Sequence, residues 1–302
     1  MSSDWPRRLA IVTVGAIFCL IIVGGLVHNT DSSLACGTDW PLCRGEVFPK
    51  LTGGVIYEWW LHRVGAVVIG LLILSLTIAL FTGRSWRWGL WGLGAIGIFS
   101  LQALLGRLTV RYGILPPIST AHLAVSLLLL SYLLVVALRL GGLPSLPLAR
   151  SSRRFAWAVA ILVYFQALVG ALMRHLGAGL ACLELPLCRA TLWPSEVHPN
   201  VLLHQTHRLL GVAVALAVLG LAVPLLRSPG RLRAFGIGLL TIVLGQVTLG
   251  VASILTLLDV APRTAHLGGA ALLLSTLVAL LASTRSVPSA AKTVPLGAPA
   301  TA

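Results

Sequence analysis

The chain has 302 residues, of which 57% are hydrophobic and only 10% charged. Soluble chains carry about 25% charged residues, so this composition excludes a water-soluble globular domain, a disordered chain and a disulfide-stapled secreted scaffold. The excess of 22 Lys+Arg over 8 Asp+Glu, a formal net charge of +14, does not point to nucleic acid, because the basic residues sit at the ends of apolar runs, where membrane proteins keep them.

Eight stretches carry the roughly 20 apolar residues that a helix needs to cross a hydrocarbon core of about 30 Å. They run over 8–27, 60–82, 86–106, 119–140, 154–173, 203–226, 232–255 and 264–284. The first reads as a helix of the bundle, not a removable signal peptide. No Arg/Ser-rich transit segment precedes it, which favours the cell membrane of a prokaryote. Arg7, Arg8, Arg84, Arg87, Arg139, Arg150, Arg153, Arg154, Arg227, Arg231, Arg233, Arg285 and Lys292 fall at one set of helix ends, 13 of the 22 basic residues. The other ends mix the remaining basic residues with Asp31, Asp39, Glu46, Glu58, Glu184, Glu196 and Asp259. The positive-inside rule then places the first set, and both termini, in the cytoplasm. Two long loops, 28–57 and 174–202, face outward and hold four of the five cysteines. The Pro/Ala-rich tail 286–302 reads as disordered.

The chain repeats itself. Cys36 and Cys43 match Cys182 and Cys188 at offsets of 146 and 145. His62-Arg63 matches His207-Arg208 at 145, while Gln102 matches Gln246 and Thr120-Ala121-His122 matches Thr264-Ala265-His266 at 144. Each half holds four helices, an even number, so both halves enter the membrane from the same side and the repeat is parallel. The expected fold is an all-α membrane protein of eight helices in two pseudo-symmetric four-helix bundles. One half spans 1–140 and the other 154–285, joined by a Pro/Gly/Arg-rich cytoplasmic linker at 141–153.

Ionisable residues inside membrane spans are costly and mark function by default. His62 and His207 begin the second helix of each half, and His122 and His266 begin the fourth. All four enter from the outer side and share a depth. Two imidazoles facing one another across a bundle suit axial ligation of a haem iron. A hydrogen-bonding histidine between helices is the ordinary alternative for one residue, but not for the same pair twice. Zinc fits less well, since neither C-x-x-C nor H-E-x-x-H occurs. Arg63, Arg208 and Arg107 are candidates for pairing with haem propionates, with Arg111 similar and Arg174 and Arg263 weaker; interface snorkelling is the competing reading. Gly65, Gly106, Gly211 and Gly250 could admit a flat ring or simply pack helices. His204, one turn before His207, could ligate in its place. His28, His175 and His198 read as solvated or structural, and Cys19 as a small buried apolar residue.

The halves differ at one telling place. Glu58 stands four residues before His62, whereas the matching residue before His207 is Leu203. A carboxylate beside one iron site can move a proton, stabilise a developing cation or form a transient bond. Close cysteine pairs in an outward, oxidising loop form disulfides. Cys36/Cys43 and Cys182/Cys188 therefore either clamp their loops or cycle as redox pairs.

These features together resemble the haem A synthase family. The resemblance covers roughly 8–284 and is carried by the two four-helix halves, the Cys36/Cys43 loop, Glu58-Trp59-Trp60-Leu61-His62-Arg63, Thr120-Ala121-His122, Gln205-Thr206-His207-Arg208 and Thr264-Ala265-His266. It implies oxidation of the C8 methyl of haem O to a formyl group by successive hydroxylation and loss of water. It implies Glu58 as the essential carboxylate, and His62 and His122 as axial ligands of the substrate haem O. His207 and His266 would hold a haem b cofactor. A haem O synthase upstream and an aa3-type oxidase downstream would be the partners, in a lipid bilayer and without nucleic acid; oligomeric state stays open, a homo-oligomer included. The main alternative is a di-haem b-type cytochrome exchanging electrons with quinol, which predicts the same histidines but neither the one-sided Glu58 nor the outward cysteines. A parallel-repeat transporter would need charges near the bilayer midplane, and the sequence places its ionisable groups near the helix ends.

Overall fold

The computed structural model describes residues 4–142, 145–186, 188 and 198–288. Eight helices dominate it: α1 (Trp5–Asn29), α2 (Gly53–Gly83), α3 (Trp86–Arg111), α4 (Pro116–Leu140), α5 (Arg150–His175), α6 (Pro199–Leu226), α7 (Arg231–Leu255) and α8 (Val260–Ala282). The shortest has 23 residues, about 35 Å at 1.5 Å per residue, enough to cross a bilayer core. The chain is therefore a multi-pass membrane protein. The helices outrun the apolar stretches because their polar first turns, such as the one with Glu58, are helical too. Proline opens α4 at Pro116 and α6 at Pro199, where its missing N–H costs nothing.

The first four helices close on themselves: α1 packs on α2 and α4, and α3 on α2 and α4. The last four do the same, with α5 on α6 and α8, and α7 on α6 and α8. Contacts of α1 with α8, α4 with α5 and α4 with α8 join the two sets. Buried aliphatic side chains such as Leu80, Leu130, Leu133, Val218, Leu239 and Leu277 fill one continuous core. Helices also approach through small residues, as packing in lipid favours. A Cβ on Gly92 would come within 2.8 Å of the Thr77 Cα, and one on Gly236, 144 residues later, within 3.0 Å of the Ala222 carbonyl oxygen. The large exposed aliphatics of the helices, Val67 and Leu216 among them, are what lipid tails would cover.

Two details depart from the sequence reading. The chain is not wholly helical: β1 (Leu146–Ala149), in the linker, pairs in parallel with β2 (Thr284–Val287), just after α8. Residues 286 and 287 thus belong to a strand, while 289–302, with Lys292, lie outside the described residues, as does Glu196. Cys19 is exposed, not buried; it lies on the outer face of α1, where lipid accepts a thiol as readily as a core does.

Candidate functional site

The start of α2 is not an ordinary α-helix. Residues Ile56–Arg63 are wound as a π-helix, continuing as α-helix from Val64. Such wide turns cluster at functional sites. Here the extra residue per turn brings Arg63, five positions on, over Glu58: the guanidinium Nη2 donates to Glu58 Oε1 at 2.5 Å. The other carboxylate oxygen accepts from the Cys36 backbone N–H at 2.6 Å. Glu58 is 3% exposed, so a carboxylate that burial would penalise is held by two charge-assisted bonds. The same Arg63 donates to the carbonyls of Asp39 and Leu42, at 2.8 and 2.7 Å. The Cys36–Cys43 disulfide closes this loop. Loop, arginine and carboxylate are one hydrogen-bonded unit.

His62 follows in the same π turn and meets His122 of α4, with ring centres 6.5 Å apart. A metal between two imidazoles, with metal–nitrogen bonds of about 2 Å, sets ring centres about 6 Å apart. The spacing therefore fits an iron shared by the two. Gln102 of α3 lies 3.3 Å from His122 Nε2 and donates to Ser126 Oγ at 2.5 Å. A Cβ on Gly24 of α1 would touch His62 Cε1 at 3.2 Å, and one on Gly106 of α3 would touch His122 Cε1 at 3.0 Å.

The second half repeats this cradle without the acid. His207 stands against Gly170 and His266 against Gly250, with Cε1 at 2.8 and 3.4 Å from the respective Cβ positions. Gln166 donates to the His207 carbonyl at 2.9 Å, and Gln246 to that of His266 at 3.1 Å. The helix here is regular, and Leu203 occupies the place of Glu58. Arg208 donates to the carbonyls of Glu184, at 2.7 Å, and Cys182, tying α6 to the loop closed by Cys182–Cys188. His204 is 2% exposed and its Nδ1 lies 3.0 Å from the Ala178 carbonyl. It faces the loop turn Ala178–Leu180, which leaves His207 beside the glycine of α5.

Of the remaining sequence candidates, Arg107 lies over the Trp40 ring at 5.6 Å. With Arg111, Thr38 and Asp39 they line an open cavity of about 320 Å³ beside the Cys36–Cys43 loop. Gly65 and Gly211 face Leu20 and Gln166, not a histidine. His28 and His175 stack edge to face at 5.1 Å, and His28 Nδ1 bonds Ser33 Oγ at 2.7 Å. His198 caps α6 by accepting from the Asn200 N–H. Sequence reasoning missed Gly24, Gly170 and the Cys36 N–H. The two glycines stand 146 residues apart, the repeat offset, so internal alignment could have found them; a backbone donor leaves no such signal.

Residues 7–278 match the sequence model of the cytochrome oxidase assembly protein family, COX15-CtaA. The chain belongs to this family. Among its relatives, a protein of Bacillus licheniformis named "Heme A synthase" is 31% identical over 279 residues, covering 86% of this chain and 89% of the relative. A Geobacillus kaustophilus protein of the same name is 30% identical, covering 86% and 85%. A third, from Symbiobacterium thermophilum, is 30% identical over 70% of this chain and 72% of its own. Family membership covers both histidine pairs, Glu58 and both cysteine loops, so the site sits wholly inside the shared region.

Proposed function

We propose that this chain is a haem A synthase, a membrane oxidoreductase that converts the C8 methyl of haem O to a formyl group. The observation that carries the reading is the buried Glu58, held by Cys36 and Arg63 at the mouth of one histidine pair and absent from the other. The full-length relatives named for this activity support it.

Haem O, the substrate, would be held by His62 and His122 in the first half. His207 and His266 would hold a resident haem b. The fit is favourable: both pairs combine imidazole nitrogen donors, which haem iron takes as axial ligands, with a glycine beside each ring. When bound, that haem supplies one-electron redox chemistry. Glu58 takes up a proton released as the methyl group is oxidised, and Arg63 pairs with its carboxylate and aims it. The Cys36–Cys43 loop shields the acid from bulk water. We read both disulfides as clamps, since the Cys36 N–H is itself a ligand of Glu58 and the Cys182 carbonyl anchors Arg208.

Arg107 and Arg111, which line one cavity, would receive substrate carboxylates there. Arg208 keeps a buried, unpartnered Nε–H among the described residues for a carboxylate of the resident haem. Arg63 would contribute mainly through Glu58. The two four-helix sets are related by a pseudo-two-fold along the membrane normal, with 1–140 forming the substrate half and 154–285 the cofactor half. The basic ends lie in the cytoplasm of a prokaryotic cell and the cysteine loops lie outside. A haem O synthase would supply the substrate and an aa3-type oxidase would receive the product.

Co-expression with a haem O synthase in a host lacking haem A tests this. Haems extracted from the purified protein and membranes are identified by mass. Haem A with the native chain, and none with Glu58→Ala, is the expected result. Haem B alone, reversibly reducible beside available haem O, would instead mark an electron-transfer cytochrome.

A further inference from the structure

Metal-bound histidines are ordinarily oriented by a hydrogen bond from the second ring nitrogen to a carboxylate, carbonyl or water. None of the four histidines here has one: Nδ1 of His62, His122, His207 and His266 is buried without a partner among the described residues. The outer torsion of histidine is broad and roughly two-fold, so the backbone alone does not fix the ring plane. Each ring edge instead rests against one glycine, always from the helix that precedes its own. Gly24 of α1 faces His62, Gly106 of α3 faces His122, Gly170 of α5 faces His207 and Gly250 of α7 faces His266. A Cβ at these positions would stand 3.2, 3.0, 2.8 and 3.4 Å from Cε1, and 3.6, 3.7, 3.4 and 4.0 Å from Nδ1. The same part of the ring meets the same kind of residue four times.

We propose that Gly24, Gly106, Gly170 and Gly250 are positioning residues that seat the four imidazoles sterically, replacing the hydrogen bond that orients such ligands elsewhere. This rests on the reading above that the four histidines hold haem iron. Two consequences follow from the geometry. Room at the seat sets the ring plane, so a methyl group there turns or lifts the ring. An Nδ1 with no acceptor also leaves the imidazole a weaker donor than one hydrogen-bonded to a carboxylate, so ring displacement registers in the reduction potential.

The test uses the full-length protein with its resident haem. Gly170→Ala, the tightest seat of the second half, is compared with Gly250→Ala and with Gly238→Ala, a position on α7 where a Cβ meets nothing within 4 Å. Haem content, the low-spin bis-imidazole spectrum and the midpoint potential are measured. Gly170→Ala should lose most of the haem, or retain it with a shifted potential and altered low-spin signals. Gly250→Ala should shift less and Gly238→Ala not at all. Native spectra, potential and haem content in Gly170→Ala would overturn the proposal.

If Gly170→Ala does not fold, the first half decides. Gly106→Ala and Gly24→Ala are titrated with haem B as probe of the first pocket, while the resident haem reports that the protein is intact. Affinity should fall about tenfold, the lower range for disturbing the support of a metal ligand, with the larger loss at Gly106. An unchanged titration overturns the seats. A native protein without bis-histidine haem would instead overturn the pocket reading, and the seats with it.

Discussion

The two halves of this protein share a scaffold and differ in what is built on it. Both present a histidine pair, two glycines, a glutamine from the third helix and an arginine clamped to a disulfide loop. In the first half the loop's Cys36 N–H and Arg63 converge on Glu58; in the second, Arg208 donates to the Glu184 and Cys182 carbonyls, and Leu203 stands at the acid's matching position. The winding differs too, π-helical over Ile56–Arg63 and α-helical around His207. Ser126, which accepts from Gln102, becomes Ala270, and Arg107 and Arg111 become Val251 and Leu255. On the proposed reading, a few local changes divide the two histidine sites between roles. The decisive one altered the helix turn as well as a side chain, because only the wider turn sets Arg63 over Glu58.

That division can be broken or sharpened. The largest effect is expected from Glu58→Gln, which keeps an acceptor for the Cys36 N–H but removes the charge and the proton site. Conversion of haem O should fall about a thousandfold, within the range of general acid–base contributions, while haem content stays native. Extracted haems read by mass check this, and normal haem A yield would remove Glu58 from the chemistry. Next, the two histidine pairs should separate cleanly. His207→Ala should strip the resident haem, whereas His62→Ala should keep it and abolish product; the optical spectrum of each purified variant decides.

Opening the bridges should act more weakly and unequally. Cys36→Ser with Cys43→Ser, and Cys182→Ser with Cys188→Ser, should each cost about 2–3 kcal/mol, seen as earlier thermal unfolding. Only the first pair should also slow conversion, because only its loop holds the acid. Equal activity losses would mean that the second loop does more than clamp. The smallest effect is expected at the cavity lined by Arg107 and Arg111. Arg107→Ala with Arg111→Ala should raise KM for haem O about tenfold, the scale of one or two lost charged hydrogen bonds, with kcat nearly unchanged. The matching Val251→Ala and Leu255→Ala should do neither.

Much of this was legible in the sequence. Composition forces a membrane bundle, apolar periods count its helices, and the repeat offset pairs His62 with His207 and His122 with His266. The glutamate stood out because its partner position is Leu203. Other features carry no such mark. The π turn leaves no trace in residue spacing, and the Cys36 N–H is a backbone atom. The paired strands β1 and β2 lie in stretches that read as linker and tail, since four residues hold too little pattern to count. His204 and His207, one turn apart, could be told apart only by what each faces: the Ala178 carbonyl for one, Gly170 for the other.

The sequence by itself determined that the chain crosses a membrane eight times, that its halves repeat and that one half alone has an acid beside its histidines. Hydrophobic length and residue identity are local properties that survive in one dimension. Only the tertiary structure decided that His62 lies 6.5 Å from His122, that the first disulfide loop folds its N–H onto Glu58, and that four glycines back four imidazoles. Those relations join residues from different helices. They depend on how close two backbones come and which way a turn is wound, and a bilayer core without free hydrogen-bonding water leaves few other ways to satisfy a buried charge.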